Sequence, residues 1–167
     1  MAVRYFRISI FAGLLALGAP AQAQQMTAEQ EAEVVNPISQ SEYETGMACI
    51  GRYDGVRSIQ NRIADTVTDH PLGDAMRELR TKSAGVDELM AGIRANTAKP
   101  LHKLDQDAGY RAYRKARQRY SDAAVMPIGE QWAFIHGDQK ISDECTVALS
   151  MIAAKAAYQE DIARTAK

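Results

Sequence analysis

The sequence lacks several features, and each absence excludes a class of protein. A membrane-spanning helix needs roughly twenty apolar residues, and the most apolar stretch, Ile8–Leu17, is half that length. The formal net charge is −1, without the strongly basic balance of a general nucleic-acid-binding protein. Aromatic residues make up only 7% of the chain, and alanine is abundant, which favours helices over sheets. We therefore expect an all-α protein that neither spans a membrane nor binds nucleic acid.

Motifs for common catalytic and cofactor sites are also missing. There is no C-x-x-C-H haem attachment, no phosphate-cradling glycine loop and no Ser-His-Asp set. The histidines His70, His102 and His136 show no metal-ligand spacing, so we interpret them as polar residues of loops and helix ends. A His/Asp metal site with Asp69 and Asp138 is the alternative. We predict no cofactor and no metal.

The N-terminus has the pattern of a secretory leader. Arg4 and Arg7 supply the positive start, Ile8–Leu17 forms the apolar run, and Ala21-Gln22-Ala23 is a small-x-small cleavage site. We expect cleavage after Ala23 and a mature chain in the periplasm or outside the cell. The leader contains two of the twenty basic residues and none of the twenty-one acidic ones, so the mature charge is −3.

Three segments are predicted along the chain. Residues 1–23 form the leader, and the polar, acidic residues 24–38 form a flexible arm with too little apolar surface for a core. Residues 39–167 form a single domain, because they contain no internal repeat and no second boundary.

The domain is predicted to begin with a helix capped by Ser39 or Ser41. Gly51 and Gly55 lie inside this helix, where each costs about 1 kcal/mol relative to alanine. A bend or break near them is expected. A second helix over 72–97 has apolar residues every seven positions, which predicts packing on other helices or on another subunit. These residues are Leu72, Leu79, Val86 and Ile93.

The third predicted helix, roughly 103–125, has two different sides. Alanines and tyrosines, including Ala112, Ala116 and Tyr120, fall within one arc of about 120°, which predicts close packing. The remaining arc is basic, and we predict that it contacts an acidic envelope protein or an anionic lipid or sugar surface. An ordinary solvated helix face is the alternative. The candidate binding residues are Arg111, Arg114, Lys115, Arg117 and Arg119.

Cys49 and Cys145 are the only cysteines, and we predict that they form a disulfide; buried free thiols are the alternative. In an up-down-up-down bundle, Cys49 lies about 28 Å below the upper end of the first helix. Cys145 would lie only about 9 Å below that end if the last helix began at Gln139, yet bridged Cα atoms lie within about 7 Å. We therefore predict that 128–136 is helical and continues the last column. A break in the first helix is the alternative.

One stretch resembles an enzyme motif. Pro71-Leu72-Gly73-Asp74-Ala75-Met76-Arg77-Glu78 is similar to the P-[IVL]-x-D-x-x-R-E stretch of the helical chorismate mutases. The resemblance implies that Asp74, Arg77 and Glu78 hold hydroxyl and carboxylate groups of a substrate. That family also uses a lysine from its first helix, and this chain has none there. We favour the alternative, a helix start with Asp74 near the positive dipole end and Arg77 as its i+3 partner.

These observations predict an all-α, antiparallel bundle of about four helices with one disulfide. The leading prediction for function is a non-enzymatic binding or interaction protein of the cell envelope, which could form a homo-oligomer. The alternatives are a small helical enzyme and a carrier of a small ligand within the bundle.

Overall fold

The computed structural model describes residues 34–138 and 143–166, and all of them belong to helices or to connections between helices. The predicted leader, most of the predicted arm and residues 139–142 before the last helix lie outside them. The all-α prediction is confirmed for these two segments, in which no helix is long and apolar enough to cross a bilayer. The helices are α1 Gln40–Thr66, α2 Pro71–Lys82, α3 Ala84–Thr97, a 3-10 helix Pro100–His102, α4 Gln106–Ala123, α5 Ile128–Asp138 and α6 Asp143–Thr165.

The helices of the described segments form four columns of alternating direction. α1 is the first column, α2 and α3 together form the second, α4 is the third, and α5 with α6 forms the fourth. The predicted antiparallel bundle is confirmed, with two of its columns each made of two helices. The contacts that show the directions are Arg57–Asp87 and Ala64–Arg77 for the second column, Tyr43–Gly109 and Gly55–Tyr120 for the third, and Cys49–Cys145 and Glu42–Lys155 for the fourth.

Two apolar clusters form the core, one towards each end of α1. The upper cluster lies near the carboxyl end of α1 and joins it to α2, α4 and α5, while the lower cluster joins it mainly to α3 and α6. Val34 and Ile38, at the end of the predicted arm, are also buried, so this end packs on the bundle. Fully buried residues include Ile59, Ile63, Met76 and Ile135 in the upper cluster and Ile50, Met90, Leu149 and Ile152 in the lower one.

Helix α1 begins where the sequence predicts and is not broken at its glycines. The Ser39 hydroxyl accepts a hydrogen bond from the Glu42 N–H at 3.2 Å, and the Glu42 carboxylate accepts one from the Ser39 N–H at 2.7 Å. Gly51 and Gly55 are helical and face α4. A Cβ on Gly51 would lie 2.3 Å from the carbonyl oxygen of Tyr113. The glycines allow two helices to pack closely, which confirms the close packing predicted for α4.

The helix predicted over 72–97 is divided at Ser83, so the prediction of one continuous helix is wrong. The Ser83 hydroxyl donates to the carbonyl oxygens of Leu79 and Arg80, and such back-bonding bends helices. Tyr53 of α1 donates to the Ser83 carbonyl oxygen at 3.4 Å. The division lets α2 pack in the upper cluster and α3 in the lower one.

Cys49 and Cys145 form the predicted disulfide, with their Cα atoms 5.5 Å apart. Helix α5 covers the segment 128–136, so the prediction that this segment is helical is confirmed. Because α5 occupies the upper part of the fourth column, Cys145 in α6 reaches the level of Cys49 in the middle of α1.

Candidate functional site

Helix α4 packs on the bundle through its small-residue side. The Asp105 side chain caps the helix by accepting a hydrogen bond from a backbone N–H of the first turn at 3.0 Å. Gly109 lies against the ring of Tyr43, and Gly55 of α1 lies against the ring of Tyr120. These contacts cover one side of α4 and leave the opposite side in solvent.

The solvent side of α4 carries five cations, which we call the α4 basic surface. A rotation of 100° per residue places them over an arc of roughly 200° around the helix. Arg111 lies 3.9 Å from the Asp105 carboxylate, and Arg114 and Lys115 pair with no carboxylate of the described segments. Two carboxylates in α4 reduce its formal charge to +3. The α4 basic surface consists of the exposed residues Arg111, Arg114, Lys115, Arg117 and Arg119.

Aromatic rings lie beneath two of these cations. The Arg114 guanidinium carbon is 5.8 Å from the centre of the Tyr110 ring. The Arg119 guanidinium carbon lies 5.2 Å from the Tyr120 ring and 5.3 Å from the Phe134 ring of α5. Such cation–π contacts contribute about 0.5–1 kcal/mol each at exposed sites. They restrict the positions of the two guanidinium groups without neutralising their charge.

A polar network links the α4 basic surface to α1 and α3. The Tyr113 hydroxyl donates to an Asp54 carboxylate oxygen at 2.9 Å, and Arg94 donates to the same oxygen at 2.9 Å. Arg117 donates to the Tyr113 hydroxyl at 3.1 Å. Burial, together with the hydrogen bond to Asp54 and its negative charge, raises the pKa of Tyr113. Arg117 therefore has a contact within the fold, whereas Lys115 is fully available to a partner.

The residues of the mutase-like motif make local structural contacts. Arg77 donates to the Ala64 carbonyl oxygen in the last turn of α1 at 2.9 Å, to the Thr68 carbonyl oxygen just beyond α1 at 2.8 Å, and also to the Asp74 carboxylate. Glu78 forms an ion pair with Lys82 one turn further along α2. The last carbonyl groups of a helix have no partner within it, so Arg77 caps α1. These contacts agree with the structural role favoured from the sequence.

The three histidines lie in separate environments. Nδ1 of His70 accepts a hydrogen bond from the Leu72 N–H at 3.1 Å and so caps α2. The His136 ring meets the Trp132 ring edge-on, with centres 5.3 Å apart. Burial lowers the pKa of His102, which favours its neutral form. Within residues 34–138 and 143–166, no group of three or more His, Cys, Asp or Glu side chains is placed to hold a metal ion.

Sequence reasoning missed a polar cluster where α1 faces the division between α2 and α3. Arg57 donates to Asp87 at 2.9 Å, and the Tyr53 hydroxyl donates to the same carboxylate at 2.9 Å. Burial raises the pKa of Tyr53. Nε and Nη1 of Arg57 are buried and have no hydrogen-bond partner among the described residues. The sequence did contain one indication of this cluster: Tyr53 and Arg57 are four residues apart, which places them on one side of α1.

No protein-family model, curated protein or solved structure matches this chain. A function is therefore inferred from the chemistry of α4 and its surroundings.

Proposed function

We propose that this protein is a non-enzymatic binding protein and that its α4 basic surface contacts an anionic partner. The supporting observation is that five exposed cations lie on a helix whose other side packs closely on α1. Because α4 packs closely on α1 at Gly51 and Gly55, its backbone is already ordered and binding needs little further ordering of the chain. The formal charge of +3 on α4 also contrasts with the −3 expected for the mature chain, so positive potential is concentrated on this helix.

We propose further that the partner is met in the cell envelope or outside the cell. The leader pattern of residues 1–23 supports export. The disulfide between Cys49 and Cys145 supports it too, because such bonds persist in oxidising compartments.

Charge reversal at Arg114 and Lys115 tests the contact. Both side chains are exposed and donate no hydrogen bond to another described residue, so Arg114→Glu/Lys115→Glu should fold normally. We expect the wild-type protein to bind labelled heparin and poly-L-glutamate with a Kd that rises with salt, because screening weakens exposed charge pairs. We expect the double variant to bind about tenfold more weakly or worse. Fluorescence anisotropy measures both Kd values.

The matched control is Arg62→Glu/Arg164→Glu, which changes the net charge equally at exposed positions of α1 and α6. Equal weakening in both double variants would show that net charge alone matters and would contradict a contact at α4. The absence of wild-type binding to heparin, poly-L-glutamate and anionic vesicles alike would contradict the proposed function. Thermal unfolding of each variant verifies that the fold is retained.

A further inference from the structure

Two apolar side chains protrude where α4 turns towards α5. Val125 is 82% exposed and Met126 is 37% exposed, whereas Ala123, two residues before Val125, is completely buried. Val125 is the most exposed large apolar residue of the described segments. One exposed apolar side chain is ordinary, but this adjacent pair lies at the end of the α4 basic surface.

Val125 continues the side of α4 that carries the cations. Ala124 keeps helical backbone angles, with φ −65° and ψ −16°, so the helical spacing extends into the turn. Around the helix axis, Val125 then lies about 40° from Arg111 and about 20° from Arg114. Tyr110, 55% exposed, lies on the same side near the amino end of α4. This side therefore has apolar groups at both ends and cations between them.

An anionic phospholipid surface is the partner that would contact both the cations of α4 and the exposed apolar side chains. Its headgroups attract lysine and arginine, and its boundary between headgroups and acyl chains accepts apolar side chains. A soluble polyanion would leave Val125 and Met126 in water, and their apolar area would contribute nothing to binding. Asp107 and Asp122 also lie on this side of α4 and would be repelled by anionic headgroups, but the five cations leave the helix with a net charge of +3. Neutral lipid would offer no counterpart to that charge.

We propose that the α4 basic surface docks on an anionic phospholipid bilayer and that the α4–α5 turn inserts Val125 and Met126 among the headgroups. This inference rests on the proposed function and specifies its partner. Helix α4 is about 27 Å long at 1.5 Å per residue, so it can lie along the surface and meet several headgroups at once. Binding of this kind is peripheral and reversible.

Vesicle sedimentation tests the docking. We expect the wild-type protein to bind vesicles of phosphatidylglycerol and phosphatidylcholine in equal parts, and not vesicles of phosphatidylcholine alone. Val125→Ser/Met126→Ser should reduce partitioning onto the anionic vesicles about tenfold and leave heparin binding unchanged, because it removes apolar contacts and no charge. Val147→Ser is the control, since Val147 is also exposed but lies on α6.

An environment-sensitive dye tests insertion directly. Attached to Val125→Cys in the disulfide-bonded protein, the dye should shift its emission to the blue when anionic vesicles are added. The same dye attached to Ser58→Cys, an exposed position of α1, should not respond.

Three outcomes would overturn the inference in different ways. Insertion would be excluded if Val125→Ser/Met126→Ser left binding to anionic vesicles unchanged, or if the emission of the dye at position 125 did not shift when these vesicles were added. Binding to heparin or poly-L-glutamate that depends on Arg114 and Lys115, without binding to anionic vesicles, would exclude lipid and leave the proposed function standing. Failure of all three anionic probes would overturn both.

Discussion

Arg57 and Lys155 are buried charged side chains, and each pairs with a carboxylate closer to the surface. Arg57 pairs with Asp87 and Lys155 with Glu42. Removing a guanidinium or ammonium group from water costs several kcal/mol, so such pairs often add little net stability. Arg57 also keeps two nitrogens without a hydrogen-bond partner in the described segments. We therefore interpret these pairs as contacts that specify how α3 and α6 sit on α1.

Glu42 makes stability depend on pH. Burial alone would raise the pKa of Glu42, but hydrogen bonds from Lys155 and Ser39 lower it below its usual value of 4.5. A carboxyl whose pKa is lower in the folded state stabilises the protein above its unfolded pKa, and that contribution is lost as the pH falls through the folded pKa. We expect Glu42→Gln to lower the free energy of unfolding by about 2 kcal/mol near neutral pH and by progressively less as the pH falls through the lowered folded pKa of Glu42.

Urea unfolding at a series of pH values measures this difference. Glu88→Gln is the control, because Glu88 is an exposed carboxylate of α3. A loss of stability in Glu42→Gln that is the same at every pH would show that the pair with Lys155 does not set the acid dependence.

Helices α1 and α4 pack closely because two positions of α1 have no side chain. Gly51 lies under the backbone of Tyr113, and a Cβ on Gly55 would lie 2.4 Å from Cγ of Tyr120. Gly92 of α3, in contrast, has no atom near the position of a Cβ. A side chain therefore has no room at Gly51 and Gly55, whereas one fits freely at Gly92.

Alanine substitution should separate these two kinds of glycine. Gly51→Ala must displace the backbone of α4, so we expect a loss of about 3 kcal/mol in the free energy of unfolding. Gly92→Ala should stabilise the protein by about 0.5–1 kcal/mol, because alanine favours the helix and nothing is displaced. Chemical unfolding of the two variants measures both effects, and a neutral Gly51→Ala would mean that α4 does not lie this close to α1.

The sequence predicted most of the helices, and the physical reasons for its failures are specific. Apolar spacing indicated α1 and α4, and the distance between the cysteines indicated α5. At the division, the Ser83 hydroxyl bonds back to the Leu79 carbonyl oxygen, and Tyr53 of α1, thirty residues away, lies 3.4 Å from the Ser83 carbonyl oxygen. Apolar spacing within one segment shows neither contact. Helical periodicity predicted that the basic arc of α4 is exposed. The exposure of Val125 could not be predicted in this way, because it depends on where α4 ends.

For the whole molecule, the disulfide joins the first column to the last. A bridge over a sequence separation of 96 residues should stabilise the protein by about 3–5 kcal/mol. We expect a reducing agent to lower the midpoint of guanidinium unfolding accordingly. Cys49→Ala/Cys145→Ala should already show the lower midpoint and should not respond to the reducing agent. A midpoint of the wild-type protein that is insensitive to reduction would contradict this role.

The same bridge determines which parts of the chain can carry tension. If the protein is pulled from its two ends, the force passes from Cys49 directly to Cys145, and the segment between them bears none of it. Helices α2, α3, α4 and α5 all lie in that shielded segment. A chain tethered at both ends could therefore be stretched at its outer parts while the basic helix kept its shape.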